Sequence, residues 1–283
     1  MTPQRPAGIA ALCIAALSGF AANSLLCRAA LGAHAIDAAS FTVIRLASGA
    51  AILAMLARGP VARAGSWGSG AALFAYAAAF SFAYLRLSTA TGALILFGLV
   101  QVTMIGSGVA RGERPRAIEW IGIAIAIGGL VALTLPGLAA PDPLGAALMA
   151  SAGISWGVYS LRGRGVANPL AVTADNFARS LPFAALLVIG AAVGGGHVSV
   201  EGALLAAGSG AIASGLGYSL WYAVVPQLTA TRAGIVQLSV PVLAASGGAL
   251  ILAEPITARF GACAAAILGG VALSVLTRRR AAP

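Results

Sequence analysis

Thr89–Gly129 reads TATGALILFGLVQVTMIGSGVARGERPRAIEWIGIAIAIGG, and Thr229–Gly270 reads TATRAGIVQLSVPVLAASGGALILAEPITARFGACAAAILGG. Each stretch opens on Thr-Ala-Thr and runs through apolar residues to a glutamate, Glu113 or Glu254. Fifteen residues later each reaches a glycine pair, Gly128-Gly129 or Gly269-Gly270. The offset is 140 residues at the threonines and 141 at the acids and glycines. Upstream it falls to 137, where Gly8 and Ser18 match Gly145 and Ser155, and to 134, where Arg45 falls on Arg179. An ordered set of matches with a slowly drifting offset points to an internal duplication, and duplicated apolar chains are a recurrent construction of secondary transporters.

Composition places that duplication in a membrane. Sixty per cent of residues are hydrophobic and 8% charged, against roughly 25% charged in a soluble domain. The net charge of +10 does not point to nucleic acid, because the basic residues are scattered singly without interleaved aromatics. All 17 are arginine, so neither a P-loop lysine nor a Schiff-base lysine is present, and no cofactor is expected. Cys13, Cys27 and Cys263 are odd in number and lie in apolar stretches, which argues against a disulfide framework. His34 and His197 form no cluster with metal-ligand spacing, so no metal is expected either. The N-terminus imitates a signal peptide, with Arg5, an apolar run and the cleavage-like Ala33-His34-Ala35. The run is longer than a signal h-region and has a counterpart in the second half, so it reads as a retained first helix.

Ten segments are long and apolar enough to span: 7–31, 38–57, 67–86, 90–110, 117–135, 143–161, 169–193, 202–225, 231–252 and 256–277. Without polarity alternation they are helices rather than barrel strands. If the N-terminus is cytoplasmic, twelve arginines fall inside and only Arg28, Arg86 and Arg259 outside, with Arg45 and Arg179 within spans. The positive-inside bias therefore puts both termini in the cytoplasm. Five spans per half is an odd number, so the second copy runs in the opposite sense. The expected fold is an all-α integral membrane protein of two inverted five-helix repeats, 1–138 and 139–283, with a site near mid-membrane between them.

The ten short spans, the turns at Gly112-Glu113 and Ala253-Glu254-Pro255, the glycine pairs and the segment Gln237–Leu243 together resemble the drug/metabolite transporter superfamily, EamA type. The resemblance covers essentially the whole chain, with one departure: Val100 stands where Pro241 has its counterpart. It implies a carrier of small metabolites in the cytoplasmic (inner) membrane of a bacterial-type cell. The amino-acid exporter branch is similar in architecture.

Charges within spans are costly, about 2.5–3.5 kcal/mol at mid-bilayer. Asp175 and Arg179 are four apart and read as a self-neutralising pair. Arg45 has no acid within a turn, and reads as a helix-end anchor or a contact for a substrate carboxylate. Glu113 and Glu254 read as caps for the helices that follow them, with proton coupling as the alternative.

The candidate substrate-binding residues are aromatic and amide. Tyr76, Phe80 and Tyr84 recur every four residues in span three, as Ser214, Tyr218 and Tyr222 do in span eight. Matching stripes suit a two-halved pocket, although packing, or an interfacial belt at Tyr84 and Tyr222, is the plainer reading. Asn23, Gln101 and Gln237 are amides in spans one, four and nine that need partners away from water. Trp156 and Tyr159 in span six would complete the wall. Pro182, Pro226 and Pro241 are candidate bends, and Gly261-Ala265-Gly269 with Gly122 and Ala126 are candidate close-packing faces. Gly153-Ile154-Ser155-Trp156-Gly157 fits a hydrolase pattern, but a mid-span serine with no nearby base makes it a chance match.

The expected function is alternating-access transport of a small polar metabolite, with export of amino acids favoured. Another metabolite or drug, a membrane-embedded enzyme and a channel are the rivals. The expected partners are a small-molecule substrate and the lipid bilayer, not nucleic acid, for a monomer or a homodimer.

Overall fold

The computed structural model describes residues 6–57, 64–112, 116–135, 140–163, 166, 168–193, 195–224, 237 and 239–276. Glu113, Pro226, the Thr229–Thr231 repeat and the Tyr222 side chain lie outside what is described. The helices are α1 (Pro6–Gly32), α2 (Ala38–Ala57), α3 (Trp67–Tyr84), α4 (Thr89–Ala110) and α5 (Ala117–Thr134). They continue with α6 (Pro143–Arg162) and α7 (Pro169–Val193). The eighth, α8, runs through Val200–Gly208, Ser209–Leu216 and Gly217–Val224, and α9 (Ser239–Ile251) and α10 (Ala258–Leu276) follow. Among the described residues there is no strand, only an isolated antiparallel bridge between Ile36 and Val198.

Among the described residues six helices are long and apolar enough to cross a membrane, those of α1, α2, α4, α6, α7 and α8. The apolar parts of α5, α9 and α10 are shorter, and α3 packs on α2, α6 and α7. The result is a multi-pass membrane protein. Large apolar side chains such as Ile14, Met55, Leu204 and Leu250 point outward, where lipid rather than water meets them.

Helix starts follow from single polar residues. Asp37, Ser66, Ser88, Asp142, Asn168, Ser199 and Thr257 each accept from the backbone N–H three residues on. Each satisfies a donor that the first turn leaves free. Glu119 does the same in reverse for α5, accepting from Arg116 N at 2.8 Å. The expectation for Glu254 is overturned. Thr257 caps the following helix, while Glu254 Oε2 accepts from Thr89 N at 2.8 Å and so caps α4. The chain turns back at Ala253, whose φ of 52° lies in the left-handed region, and carries Glu254 under that helix. Its other oxygen takes Arg28 Nε at 3.1 Å, and Arg28 Nη1 reaches Tyr84 O at 3.0 Å.

Helix α2 packs on α7, α4 on α9 and α5 on α10, while α3 meets α6 and α1 runs along α8. The small-residue face of α10 differs from the expected one. A Cβ on Gly261 or Gly269 would meet open space, whereas on Gly270 it would come within 2.5 Å of Gly122 O and 2.6 Å of Ala126 N. The α5–α10 crossing thus uses Gly270 against Gly122 and Ala126. Pro182 lies inside α7, and Pro241 in the first turn of the described α9.

The middle of α8, Ser209–Leu216, is π-helical. A Cβ on Gly210 would collide with Arg45 O and Ser48 Oγ, so only glycine allows α2 this close. Widened turns of this kind are frequent at functional sites, and this one faces the centre of the bundle.

Two ties join segments distant in the chain, one at each end of the bundle. At one end Asp37 N donates to His197 O at 3.0 Å and Ser199 N to Ala35 O at 2.9 Å. Asp37 Oδ2 accepts from His197 N at 3.1 Å. Burial pushes the Asp37 carboxyl up, but the N–H groups of Ser40 and His197 outweigh it and hold it below its ordinary value. At the other end Asp175 Oδ2 accepts from Gly65 N at 2.7 Å and Asn176 Oδ1 from Ser66 N at 3.0 Å.

Candidate functional site

Where α1, α3, α4, α6 and α8 converge they leave a small cavity of about 20 Å³, room for one water. Helix α1 lines it with Phe20, Asn23 and Ser24, α3 with Tyr76 and Phe80, and α4 with Leu96 and Phe97. Trp156 of α6 and Tyr218 of α8 complete the wall. Trp156 joins the two halves: its ring lies 4.9 Å from Tyr76 and stacks on Tyr218 at 5.0 Å. Phe20 meets Tyr218 edge-on at 5.8 Å. These offset and edge-on geometries are those aromatic pairs prefer, so the wall is pre-formed and rigid.

A polar chain runs behind the rings. In the π-helical turn of α8, Ser209 Oγ donates to Asn23 Oδ1. Asn23 Nδ2 donates to Tyr76 Oη at 3.4 Å, and Arg45 Nη2 donates to the same oxygen at 2.9 Å. The Arg45 guanidinium lies 5.0 Å from the Tyr76 ring centre and 4.8 Å from that of Phe80. Arg45 is 2% exposed. The helix-end anchor reading is therefore overturned: seven residues into α2, about 10 Å along its axis, the side chain turns inward rather than snorkelling.

Of the ten expected site residues, five line the cavity: Asn23, Tyr76, Phe80, Trp156 and Tyr218. The other five do not. Tyr84 is buried one turn beyond Phe80, edge-on to it at 4.8 Å and under Gly92 of α4, so it is no belt residue. Tyr159 backs Trp156 in a stack at 5.4 Å. Gln101 is buried further along α4, and Ser214 is buried in α8 with its hydroxyl unpaired. Gln237 is helical and half-buried.

Phe20, Ser24, Leu96, Phe97, Ser209 and the inward turn of Arg45 escaped the sequence reading. Phe20 is three before Asn23 and Phe97 four before Gln101, so projecting those amides onto their helices would have reached them, and Ser24 lies one turn after Phe20. Nothing in the sequence marks Ser209, because a π-helical turn brings it to Asn23.

A larger groove of about 500 Å³ opens at the His34 end between α3 and α7, lined mainly by apolar residues such as Phe82, Leu85, Leu186 and Leu187. The small cavity is the better site, because polar side chains line it and a buried cation lies behind its Tyr76.

Residues 143–276 match the model of the EamA-like transporter family. An uncharacterized protein of Pseudomonas aeruginosa is 52% identical over 273 residues, 94% of each chain. An uncharacterized transporter of Archaeoglobus fulgidus is 27% identical over 179 residues, 62% of this chain and 63% of that one. A solved crystal structure 20% identical shares the fold, with a TM-score of 0.66 over 96% of this chain and 99% of the other. The family match over residues 143–276 and the relative named as a transporter make the chain a member of the EamA-like transporter family, membrane transporters of the drug/metabolite type.

Proposed function

We propose that this protein is an alternating-access secondary transporter that exports small polar metabolites, amino acids foremost, across the bacterial-type cytoplasmic membrane. The observation that carries the reading is the small aromatic and polar cavity at the meeting of five helices. At about 20 Å³ it is too small for an amino acid, which suits a closed intermediate between two open states.

Two inverted repeats, 1–138 and 139–283, account for the packing. Helices at matching places pair across the centre: α2 with α7, α4 with α9, α5 with α10. Two further pairs of contacts exchange as a twofold would have them: α3 on α6 answers α8 on α1, and α3 on α7 answers α8 on α2. Both termini are cytoplasmic by the arginine bias. In this reading the Asp37–His197 and Asp175–Gly65 ties part in turn as the halves rock. The working unit is a monomer that needs no cofactor and binds no nucleic acid, only its solute and the bilayer.

Efflux from proteoliposomes loaded with a mixed amino-acid pool, with and without a pH gradient, tests the proposal. Selective, saturable loss of some amino acids is expected. Retention of all of them by folded protein removes amino acids as substrates and moves other metabolites ahead. Tyr218→Ala should lower flux about tenfold by loosening the wall at unchanged expression. Unaltered kinetics would take Tyr218 out of the site.

A further inference from the structure

Arg45 offers more donors than the protein uses. Nη2 donates to Tyr76 Oη, but Nη1 is buried with no hydrogen-bond partner. The three ion pairs among the described residues engage Arg28, Arg86 and Arg179, not Arg45. Tyr76 Oη already accepts from Arg45 and Asn23, so its own proton remains to be donated. The Asn23 carbonyl is taken by Ser209, which leaves that amide its second N–H. Arg45, Tyr76 and Asn23 therefore each keep a donor to give, around an unneutralised cation.

We propose that Arg45 is the anion-recognition element of the central site and that the transported solute carries a carboxylate. This deepens the transporter reading and rests on it. Tyr76 is the shared part, its ring lining the cavity and its hydroxyl holding Arg45. As the cavity opens, a carboxylate takes up Nη1 and shares the Tyr76 hydroxyl, which completes the unfilled valence of the guanidinium.

The test begins with the unaltered full chain in vesicles of phosphatidylethanolamine and phosphatidylglycerol. They are loaded at neutral pH with equal amounts of neutral amino acids, their carboxamides and the corresponding decarboxylated amines. The acids should leave at least about tenfold faster than the amides and amines, because a site built around a charge rejects analogues that lack it. Equal rates for acids and amides overturn the proposal. Arg45→Gln should bring the acid-to-amide ratio to about one and Arg45→Lys should restore part of it. A loss of all fluxes alike in folded Arg45→Gln, with the ratio kept, also overturns it. If nothing in the pool leaves, amino-acid transport is what fails, and the anion site is decided separately by thermal unfolding in detergent. Sodium propionate should then raise the midpoint of the unaltered protein above that in propionamide at equal ionic strength, and should not do so for Arg45→Gln. Identical midpoints in propionate and propionamide refute the site.

Discussion

Arg45 in α2 and Arg179 in α7 sit within helices that pack against each other, and their surroundings differ by one residue type four positions earlier. Arg179 follows Asp175 by one turn, and its Nε donates to Asp175 Oδ2 at 2.9 Å. Arg45 follows Phe41 at the same spacing, and Phe41 is fully buried. Both guanidiniums lie against rings, Arg179 at 5.1 Å from Trp67 and Arg45 over Tyr76 and Phe80. The carboxylate that neutralises Arg179 also accepts from Gly65 N, so that arginine belongs to a structural tie between α7 and the start of α3. The other remains a net cation beside a cavity. An i, i+4 acid is enough to turn a membrane arginine from a binding group into a fastening.

The largest way to break this contrast is Asp175→Ala. It strands Arg179, leaves Gly65 N without its acceptor, and should cost about 3–5 kcal/mol. Thermal unfolding in detergent measures it. A normal folded yield with only altered solute preference would falsify the structural role of the pair. Tyr76→Phe keeps the ring under Arg45 but removes the oxygen that Arg45 and Asn23 share. Two buried donors lose their acceptor, and a loss of about 1–3 kcal/mol is expected. Efflux kinetics should also show a raised KM for acids; an unchanged KM separates Tyr76 from solute binding.

Trp67→Leu touches only the other arginine. Trp67 is 56% exposed, so losing its ring contact with Arg179 should cost no more than about 1 kcal/mol and leave solute selectivity as it was. A shift in selectivity would mean that the two arginines are coupled.

The smallest effect is expected at Asp37, remote from both arginines. Its carboxyl is held below the ordinary range when folded, so its contribution is fully present above the unfolded value, about 3.9. It is lost as pH falls through the lowered folded value. Stability from Asp37 should be flat between pH 7 and 5 and decline below about pH 4, by roughly 1 kcal/mol or less. Comparison with Asp37→Asn, which lacks the titration, isolates that component.

Much of the fold was legible because its causes are local. The span boundaries of α2, α5 and α7 agree with the expected ones to within a residue, since twenty apolar residues between polar breaks have no other solution in a bilayer. The Asp175–Arg179 pair was legible for the same reason, four residues on one helix face. Glu254 was legible as a cap and illegible in its target, because the helix it caps begins 165 residues earlier. The site divides in the same way. Tyr76, Phe80 and Tyr218 came from periodicity within single helices, whereas Tyr84 kept the period and missed the cavity because Gly92 of α4 covers it.

By itself the sequence determined a multi-pass helical bundle, its helix starts and stops, and the family, because hydropathy, capping and turn chemistry act within a few residues. Only the tertiary structure decided which helix faces meet, and so which residues enclose the cavity. It also decided that Arg45 turns inward to Tyr76 with Nη1 unpaired, and that a π-helical turn delivers Ser209 to Asn23. Those outcomes depend on close approach between segments distant in the chain, such as Gly210 against α2, where the absence of a single Cβ sets the spacing.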